Sequence, residues 1–279
     1  MTAAPRSVRP LGLADYETPV AWWGWSWEPP VPMSITELVA ARDLDARTAA
    51  LCWLVLAGHG SLLIAARQPH AGKTTLLTAL LDLLPERTAR VYLRGGAETF
   101  DFLGAATPQR TVLLANELSS HLPVYLWGAK AVRAFRALGD GYALAGTLHA
   151  DSVAETIAQL RDELGVAAAD LTRIDLLAVM RLEPTAGGVA RRIVSLDRLS
   201  ADGPRAMPVV DHDAGSDVWI HDAAAEAALV AERHGCDLAG AERAIARRAE
   251  RIADLARDRV FGIEQVKVEL RPMNEGDRP

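Results

Sequence analysis

The sequence is short of lysine, cysteine and long apolar runs. Only three of its 30 basic residues are lysines, at Lys73, Lys130 and Lys267. Its two cysteines, Cys52 and Cys236, match no zinc or redox spacing, and we expect both to be reduced thiols. No stretch approaches the roughly 20 apolar residues of a membrane span, and no signal-peptide pattern begins the sequence. These absences predict a soluble cytoplasmic protein.

The chain also lacks an excess of basic charge. Over 279 residues its formal net charge is −6, while half of the residues are hydrophobic. That hydrophobic content is sufficient for one good core with a smaller unit attached. Because the basic field that usually marks nucleic-acid binding is missing, we expect no direct nucleic-acid binding.

Composition and apolar runs divide the chain into three parts. Residues 1–33 are rich in Pro and Trp and show no hydrophobic period, which predicts an irregular arm. Over residues 34–200, short apolar runs alternate with helical stretches, and this alternation predicts an α/β domain with a mainly parallel sheet. Residues 201–279 are expected to hold a Pro-, Gly- and Asp-rich linker or long turn region over 202–217 and then a small helical appendage.

Individual elements are predicted from local signals. Ser34 with Glu37, and Ser152 with Glu155, form capping boxes, in which side chains pair with amides that a helix start leaves free. An antiparallel hairpin is expected at the sheet edge over 176–196. Predicted strands cover 61–66, 91–93, 111–115, 143–148 and 176–182, and predicted helices cover 46–56, 74–84, 132–138, 153–164, 223–234 and 238–260.

A Gly-Lys-Thr triplet stands between the first predicted strand and the helix after it. That context is typical of a P-loop, in which backbone amides, a helix N-terminus and a lysine hold phosphates. Lys73 is expected to pair with the β- and γ-phosphates, and Thr74 to bind Mg²⁺. The alternative is an ordinary turn with an incidental triplet. The predicted nucleotide-binding residues are Arg67, Gln68, Pro69, His70, Ala71, Gly72, Lys73, Thr74 and Thr75.

The loop departs from the pattern G-x-x-x-x-G-K-[ST] at its start. Arg67 stands where the first glycine is required, and His70 replaces another expected glycine. A non-glycine residue with positive φ costs about 1–3 kcal/mol, although histidine tolerates that conformation better than most residues. We therefore predict a loop that forms with reduced affinity.

Two acids and a histidine are candidates for catalysis. Glu117 comes after the strand 111–115, at the edge where open α/β sheets place ligands, and is expected to orient or deprotonate water and to reach Mg²⁺ through water. His149 ends another strand and is placed to sense the γ-phosphate. Glu98 is a candidate second acid. The alternatives are a surface glutamate for Glu117, a structural histidine for His149, and a solvated loop residue for Glu98.

Taken in order, these motifs resemble the secretion or traffic ATPases of type II and type IV secretion, type IV pili and archaeal flagella. The resemblance covers residues 33–199; within it, 108–118 is similar to the Walker B strand and 141–160 to the histidine box. It implies a RecA-like domain with ATP and Mg²⁺ as cofactors. It also implies a homo-oligomeric ring, expected to be a hexamer, peripheral to the membrane and in contact with an inner-membrane platform protein. The implied function is ATP hydrolysis coupled to pilus assembly, secretion or DNA uptake.

The sequence departs from that family in several places. Arg94 stands about where an acidic box is expected, which leaves Glu98, and the short interval from there to Glu117 has no room for arginines that the family carries. These departures favour slow hydrolysis, and a regulatory or structural paralogue without turnover is the alternative. A P-loop kinase would need an acceptor site that the sequence does not show. Any arginine finger is expected in trans, with Arg90, Arg94 and Arg110 as candidates.

Two surface features have an open interpretation. The N-terminal arm carries a tryptophan cluster that either anchors a partner, because Trp is enriched at interface hot spots, or folds back onto this chain. Its members are Trp22, Trp23, Trp25 and Trp27. The arginines of the last predicted helix, including Arg248, are expected to face solvent.

Overall fold

The computed structural model describes residues 11–19, 22, 32–185, 188–200, 203 and 205–275. Within them, the strands are β1 (Leu62–Ala65), β2 (Ala89–Tyr92), β3 (Thr111–Ala115), β4 (Ala143–Leu148), β5 (Leu176–Thr185), β6 (Gly188–Leu199), β7 (Ala206–Asp213) and β8 (Val218–His221). The helices are α1 (Leu13–Tyr16), α2 (Ile35–Ala40), α3 (Ala46–Ala57), α4 (Lys73–Leu81), α5 (Gly128–Ala137), α6 (Val153–Ala158), α7 (Ala168–Leu171), α8 (Ala223–His234), α9 (Leu238–Arg257), α10 (Ile263–Leu270) and α11 (Pro272–Glu275).

All of the described strands belong to one sheet, in the order β2-β3-β4-β1-β5-β6-β7-β8. The strands from β2 to β5 in this order pair in parallel, and those from β5 to β8 pair antiparallel. Successive residues of β1 enter opposite cores: Leu62 and Ile64 pack under α3, α4, α8 and α9, whereas Leu63 and Ala65 pack under α5, α6 and α7. Burial on both faces explains the continuous apolar runs in the sequence. The predicted α/β fold is confirmed.

Local signals place two of the helix starts. The Ser34 hydroxyl accepts a hydrogen bond from the Glu37 amide at 3.3 Å, and the Ser152 hydroxyl accepts one from the Glu155 amide at 3.1 Å. Both serines are N-caps, of α2 and α6 respectively, as predicted. The second cap matters for the site, because α6 begins directly after the carboxyl end of β4.

The linker or long turn region predicted over 202–217 is wrong for half of its length, because Ala206–Asp213 form the strand β7. β7 pairs with β6, β8 pairs with β7, and Val210 and Trp219 are buried in the core. Pro208 is tolerated because it lies opposite Asp197, where the register of the ladder shifts and a backbone donor is not required. The sheet therefore continues beyond the predicted hairpin, and β8 forms its edge.

The last helices pack directly on the domain. α9 lies against α3 and α2, and its Arg248 is only 2% exposed. The Arg248 guanidinium lies 5.0 Å from the ring centroid of Trp53, and it donates to the Met273 carbonyl oxygen. The prediction that Arg248 faces solvent is therefore wrong, because these contacts replace water. Among the described helices, none combines the length and the apolar character that a membrane crossing needs.

One tryptophan of the N-terminal arm folds back onto the domain. Trp22 packs edge-to-face on Tyr92 with ring centroids 5.1 Å apart, and its indole nitrogen donates to the Thr78 hydroxyl at 3.3 Å. The second interpretation of the cluster is therefore correct for this residue. The other members, at 23, 25 and 27, lie outside the described residues.

Candidate nucleotide-binding site

The Gly-Lys-Thr segment connects a strand to a helix, as the sequence predicts. β1 ends at Ala65, and α4 begins at Lys73 after Gly72, whose φ of 96° is a left-handed conformation that favours glycine. Between them, Pro69 is exposed and Ala71 is buried. The first amides of α4 have no partner within the helix, and amides at such a helix start are able to donate to an anion. It lies at the carboxyl end of β1, where α/β sheets place ligands.

The absent first glycine causes no backbone strain. Arg67 does not have a positive φ, so its position has no need of glycine. Its Nε donates to Asp151 Oδ2 at 2.5 Å, and its Nη2 donates to Glu155 Oε1. The expectation that Arg67 strains the loop is therefore wrong. Through these two hydrogen bonds, the Arg67 side chain connects the loop to α6 and to the residues just before it.

The second substitution does place a non-glycine residue in the left-handed region. His70 has a φ of 61°, and such a residue stores about 1–3 kcal/mol of strain. Its carbonyl oxygen accepts from Arg191 Nε at 2.9 Å, while the nearby Gln68 Oε1 accepts from the Leu182 amide at 2.8 Å. Because Leu182 and Arg191 face each other on β5 and β6, this hairpin holds the loop in shape.

Lys73 points back across the loop. Its Nζ donates to the Ala66 carbonyl oxygen at 3.1 Å and lies 3.4 Å from His149 Nδ1. Burial lowers the pKa of Lys73, and the nearby charge of Glu117 opposes that shift. The ammonium group therefore stands in a partly dehydrated site, where its attraction for phosphate oxygens is stronger than in water.

Glu117 and His149 meet at the ends of neighbouring strands. Glu117 is 6% exposed and its Oε1 lies 3.5 Å from His149 Nε2. The Thr147 hydroxyl donates to the other oxygen, Oε2, at 2.9 Å. Within the described residues, Oε1 has no hydrogen-bond partner. Glu117 is therefore not the surface residue of the alternative interpretation, and its Oε1 retains the capacity to accept a further hydrogen bond.

The oxygens present suit Mg²⁺. Thr74 lies half-buried in the first turn of α4, as does Thr75, and Glu117 supplies a buried carboxylate oxygen without a partner. Mg²⁺ prefers such hard oxygens and usually keeps several waters and substrate phosphates in its shell. No cluster of three or more His, Cys, Asp or Glu side chains suited to a metal occurs in the described ranges.

Glu98 has a different environment from the one expected. It is 3% exposed, and its carboxylate accepts from the Tyr16 hydroxyl at 2.9 Å and from the amides of Arg94 and Phe100 at 2.8 Å and 2.6 Å. It is therefore not a solvated loop residue. Its oxygens hold the N-terminal helix α1 against the segment after β2.

The arginines proposed as fingers lie in two places. Arg90 and Arg110 stand at the starts of β2 and β3, the sheet edge opposite the loop, and line a cavity of about 900 Å³. Arg94 comes after β2 at the loop's edge of the sheet. Its guanidinium donates to the Asp15 carbonyl oxygen and lies 5.6 Å from the ring centroid of Tyr16.

Several residues at the site have no signal in the sequence. Arg191 reaches the loop from β6, and Arg181 donates to the Asp151 carbonyl oxygen from β5. The hydroxyl that orients Glu117 comes from Thr147, one strand away. The contacts of Arg181, Arg191 and Thr147 join residues 30 or more positions apart. Only the strand pairing brings them together.

Fold and site together define a class of protein. Strand β4 lies between β1, which leads into the loop, and β3, which leads to Glu117. Lys73, Glu117 and His149 therefore share one edge of a parallel sheet. The chain is therefore of the α/β class, with a parallel half-sheet whose carboxyl edge carries these residues and an antiparallel extension.

Comparison with known proteins gives a limited set of relatives. No family model matches the sequence. An uncharacterized protein of Methanocaldococcus jannaschii is 26% identical over an alignment of 195 positions that covers 61% of this chain and 34% of that protein. This chain thus spans about a third of the curated relative.

Three of the similar solved structures are ATPases with low sequence identity to this chain. The VirB11 ATPase of the Brucella suis type IV secretion system is 18% identical, with a TM-score of 0.36 over 54% of this chain and 50% of that chain. The ATPase DotB of Legionella pneumophila is 14% identical, with a TM-score of 0.39 over 81% and 60%. DotB of Yersinia pseudotuberculosis is 11% identical, with a TM-score of 0.40 over 88% and 63%.

Proposed function

We propose that this chain binds MgATP at residues 67–75 and hydrolyses it slowly. The observation that carries the proposal is the convergence of Lys73, His149 and Glu117 from three adjacent strand ends, at 3.4 Å and 3.5 Å. If the Gly-Lys-Thr segment were only an incidental turn, a buried carboxylate and an imidazole would not be expected beside its lysine. The buried, unpartnered oxygen of Glu117 gives the site a base as well as a phosphate cradle.

In the proposed reaction, Glu117 activates the attacking water. The water oxygen bonds to the γ-phosphorus while the bond from that phosphorus to the bridging oxygen breaks, so ADP and phosphate are the products. The proton of the water passes to Glu117 Oε1, because Oε2 already accepts from Thr147. Thr74 and, through water, Glu117 would hold Mg²⁺, whose charge neutralises that of the phosphates when it is bound.

Lys73 and His149 supply the remaining functions. Lys73 offers its ammonium group to the β- and γ-phosphates in exchange for the Ala66 carbonyl oxygen. His149 lies between Lys73 and Glu117, so a displacement of either side chain changes its contacts. We propose that His149 senses in this way whether the γ-phosphate is present.

A second candidate is a nucleotide-binding regulatory or structural subunit without turnover. Two observations favour it: His70 strains the loop, and Glu98 is committed to Tyr16 and backbone amides, so it is not free to act as a second acid. We therefore give Glu98 a structural role in the proposal. Turnover should be slow even if the enzyme interpretation is correct.

The assembly that we propose rests on the sequence resemblance. It is a cytoplasmic ring motor, possessing six copies if it is built like that family, peripheral to the membrane and coupled to an inner-membrane platform protein. Its work would be pilus assembly, secretion or DNA uptake. Sedimentation velocity over a dilution series with MgATP tests the ring. A monomer at every concentration would contradict it.

Turnover is tested by phosphate release from MgATP. Wild type should release phosphate slowly, and Glu117→Gln should reduce the rate at least 100-fold while retaining ATP binding, as expected for loss of a general base (about 10²–10⁴). Glu250→Gln, which changes an exposed glutamate of α9, is the matched control and should match wild type. If concentrated wild type binds ATP but releases no phosphate, the regulatory subunit is the better description.

A further inference from the structure

The β5–β6 hairpin brings an arginine onto the phosphate-binding loop. Arg191 Nε donates to the His70 carbonyl oxygen at 2.9 Å. Its side chain also lies directly over the start of α4: a Cβ added to Gly72 would stand 3.0 Å from Arg191 Cδ and 3.6 Å from Nε. The stem of Arg191 thus occupies the space next to the residue that immediately precedes Lys73.

The guanidinium of Arg191 retains unused donors. Nε is bonded to the loop, but Nη1 and Nη2 have no hydrogen-bond partner within the described part of the chain. Asp43 lies in the α2–α3 connection, where burial raises its pKa to about 6 and the charges of Arg191 and Arg192 oppose the rise. Arg192 is itself paired with Asp217, whereas Arg191 has no carboxylate within ion-pair distance among the described residues.

We propose that Arg191 binds the terminal phosphate of the nucleotide in cis, as the second cation beside Lys73. The proposal rests on the proposed nucleotide site and adds a residue to it. A guanidinium offers parallel N–H donors that match phosphate oxygens. An arginine at the transferring phosphoryl group stabilises the charge of the transition state. The chain thereby supplies its arginine from its own hairpin, whereas Arg90 and Arg110 lie at the opposite edge of the sheet.

A purely structural role makes a different prediction. If Arg191 only supports the His70 carbonyl, its loss deforms the whole loop and weakens ATP and ADP equally. If it binds the terminal phosphate, its loss weakens ATP much more than ADP. The ratio of the two affinities therefore separates the roles.

The test measures ATP and ADP affinity by titration with Mg²⁺, together with phosphate release. Arg191→Ala should lower ATP affinity about tenfold, the equivalent of one charge-assisted hydrogen bond, and should change ADP affinity less than about threefold. Phosphate release should fall at least as much as ATP affinity, and added guanidinium ion should restore part of it. Arg198→Ala, on the same strand but paired with Glu232, is the control and should match wild type.

Three outcomes are decisive. Equal weakening of ATP and ADP, or no change in either, overturns the proposal. Arg191→Gln keeps a donor for the His70 carbonyl, so it preserves the loop if Arg191→Ala does not fold, and it should show the same selective loss of ATP affinity. Failure of wild type to bind any nucleotide would instead refute the proposed function itself.

Discussion

Lys73 Nζ lies 3.4 Å from His149 Nδ1, although 76 positions separate the two residues in the chain. They meet because β1 and β4 are parallel neighbours whose carboxyl ends share an edge. When the ammonium group donates to Nδ1, the ring proton belongs on Nε2, which faces Glu117 Oε1 at 3.5 Å. The lysine, imidazole and carboxylate therefore form one electrostatic unit, in which the histidine links the phosphate-binding cation to the base.

Replacing this histidine should uncouple turnover from binding. We expect His149→Ala to slow phosphate release at least tenfold, because the imidazole no longer positions Lys73 and Glu117, while ATP affinity changes less than about threefold. His59→Ala, at the opposite edge of the sheet, serves as the control. Steady-state phosphate release with a parallel ATP titration is the measurement. Unchanged release in His149→Ala would show that this histidine is only structural.

The two loop substitutions should respond differently to glycine. Arg67→Gly should not improve ATP binding, because the backbone there needs no glycine, and should cost up to about 1 kcal/mol by removing exposed ion pairs with Asp151 and Glu155. His70→Gly should stabilise the protein by about 1 kcal/mol by relieving a positive φ. Denaturant unfolding of both variants checks this. Tighter ATP binding in Arg67→Gly would contradict the account of the loop.

A histidine remote from the site should make stability depend on pH. Burial alone would lower the pKa of His221, but hydrogen bonds to Asp45 and Glu226, at 2.8 Å and 2.6 Å, outweigh it and raise the pKa from 6.5 to about 9. Since the folded state holds this proton more tightly, the stabilisation is complete below about pH 6.5 and is lost as pH rises through about 9.

The expected loss in unfolding free energy between those pH values is up to about 3 kcal/mol. The measurement is urea unfolding at about pH 6 and about pH 9 for wild type and His221→Gln. The variant, which has no proton to lose at this position, should show a smaller decrease over the same interval. An equal decrease in both proteins would assign the pH dependence to other groups.

Much of the fold was visible in the sequence because the parallel strands are buried on both faces. The apolar runs at 111–115 and 143–148 coincide with β3 and β4. β7 escaped prediction because Pro208 and several aspartates favour a turn, and only its pairing with β6 stabilises it as a strand. Local composition shows that proline and aspartate disfavour a strand in this segment. It does not show the neighbouring strand β6, whose pairing stabilises the segment as a strand.

The residues of the candidate site likewise fall into those that local sequence patterns indicate and those that only long-range contacts bring to the site. Lys73, Glu117 and His149 stand beside local patterns, so the sequence indicates them. The partners of Arg67 lie 84 and 88 positions away, and Arg191 is 121 positions from His70, distances at which no local pattern carries information. Only the folded sheet brings these residues into contact with the loop.

The central claim is that the loop containing Lys73 binds nucleotide, and one titration tests it most directly. A fluorescent ATP analogue with Mg²⁺ is titrated into wild type, Lys73→Ala and Lys130→Ala, the last being a lysine of α5 outside the loop. The account predicts that Lys73→Ala binds at least tenfold more weakly than wild type, a loss of about 1.4 kcal/mol or more, and that Lys130→Ala binds like wild type. Equal affinity of wild type and Lys73→Ala would contradict it.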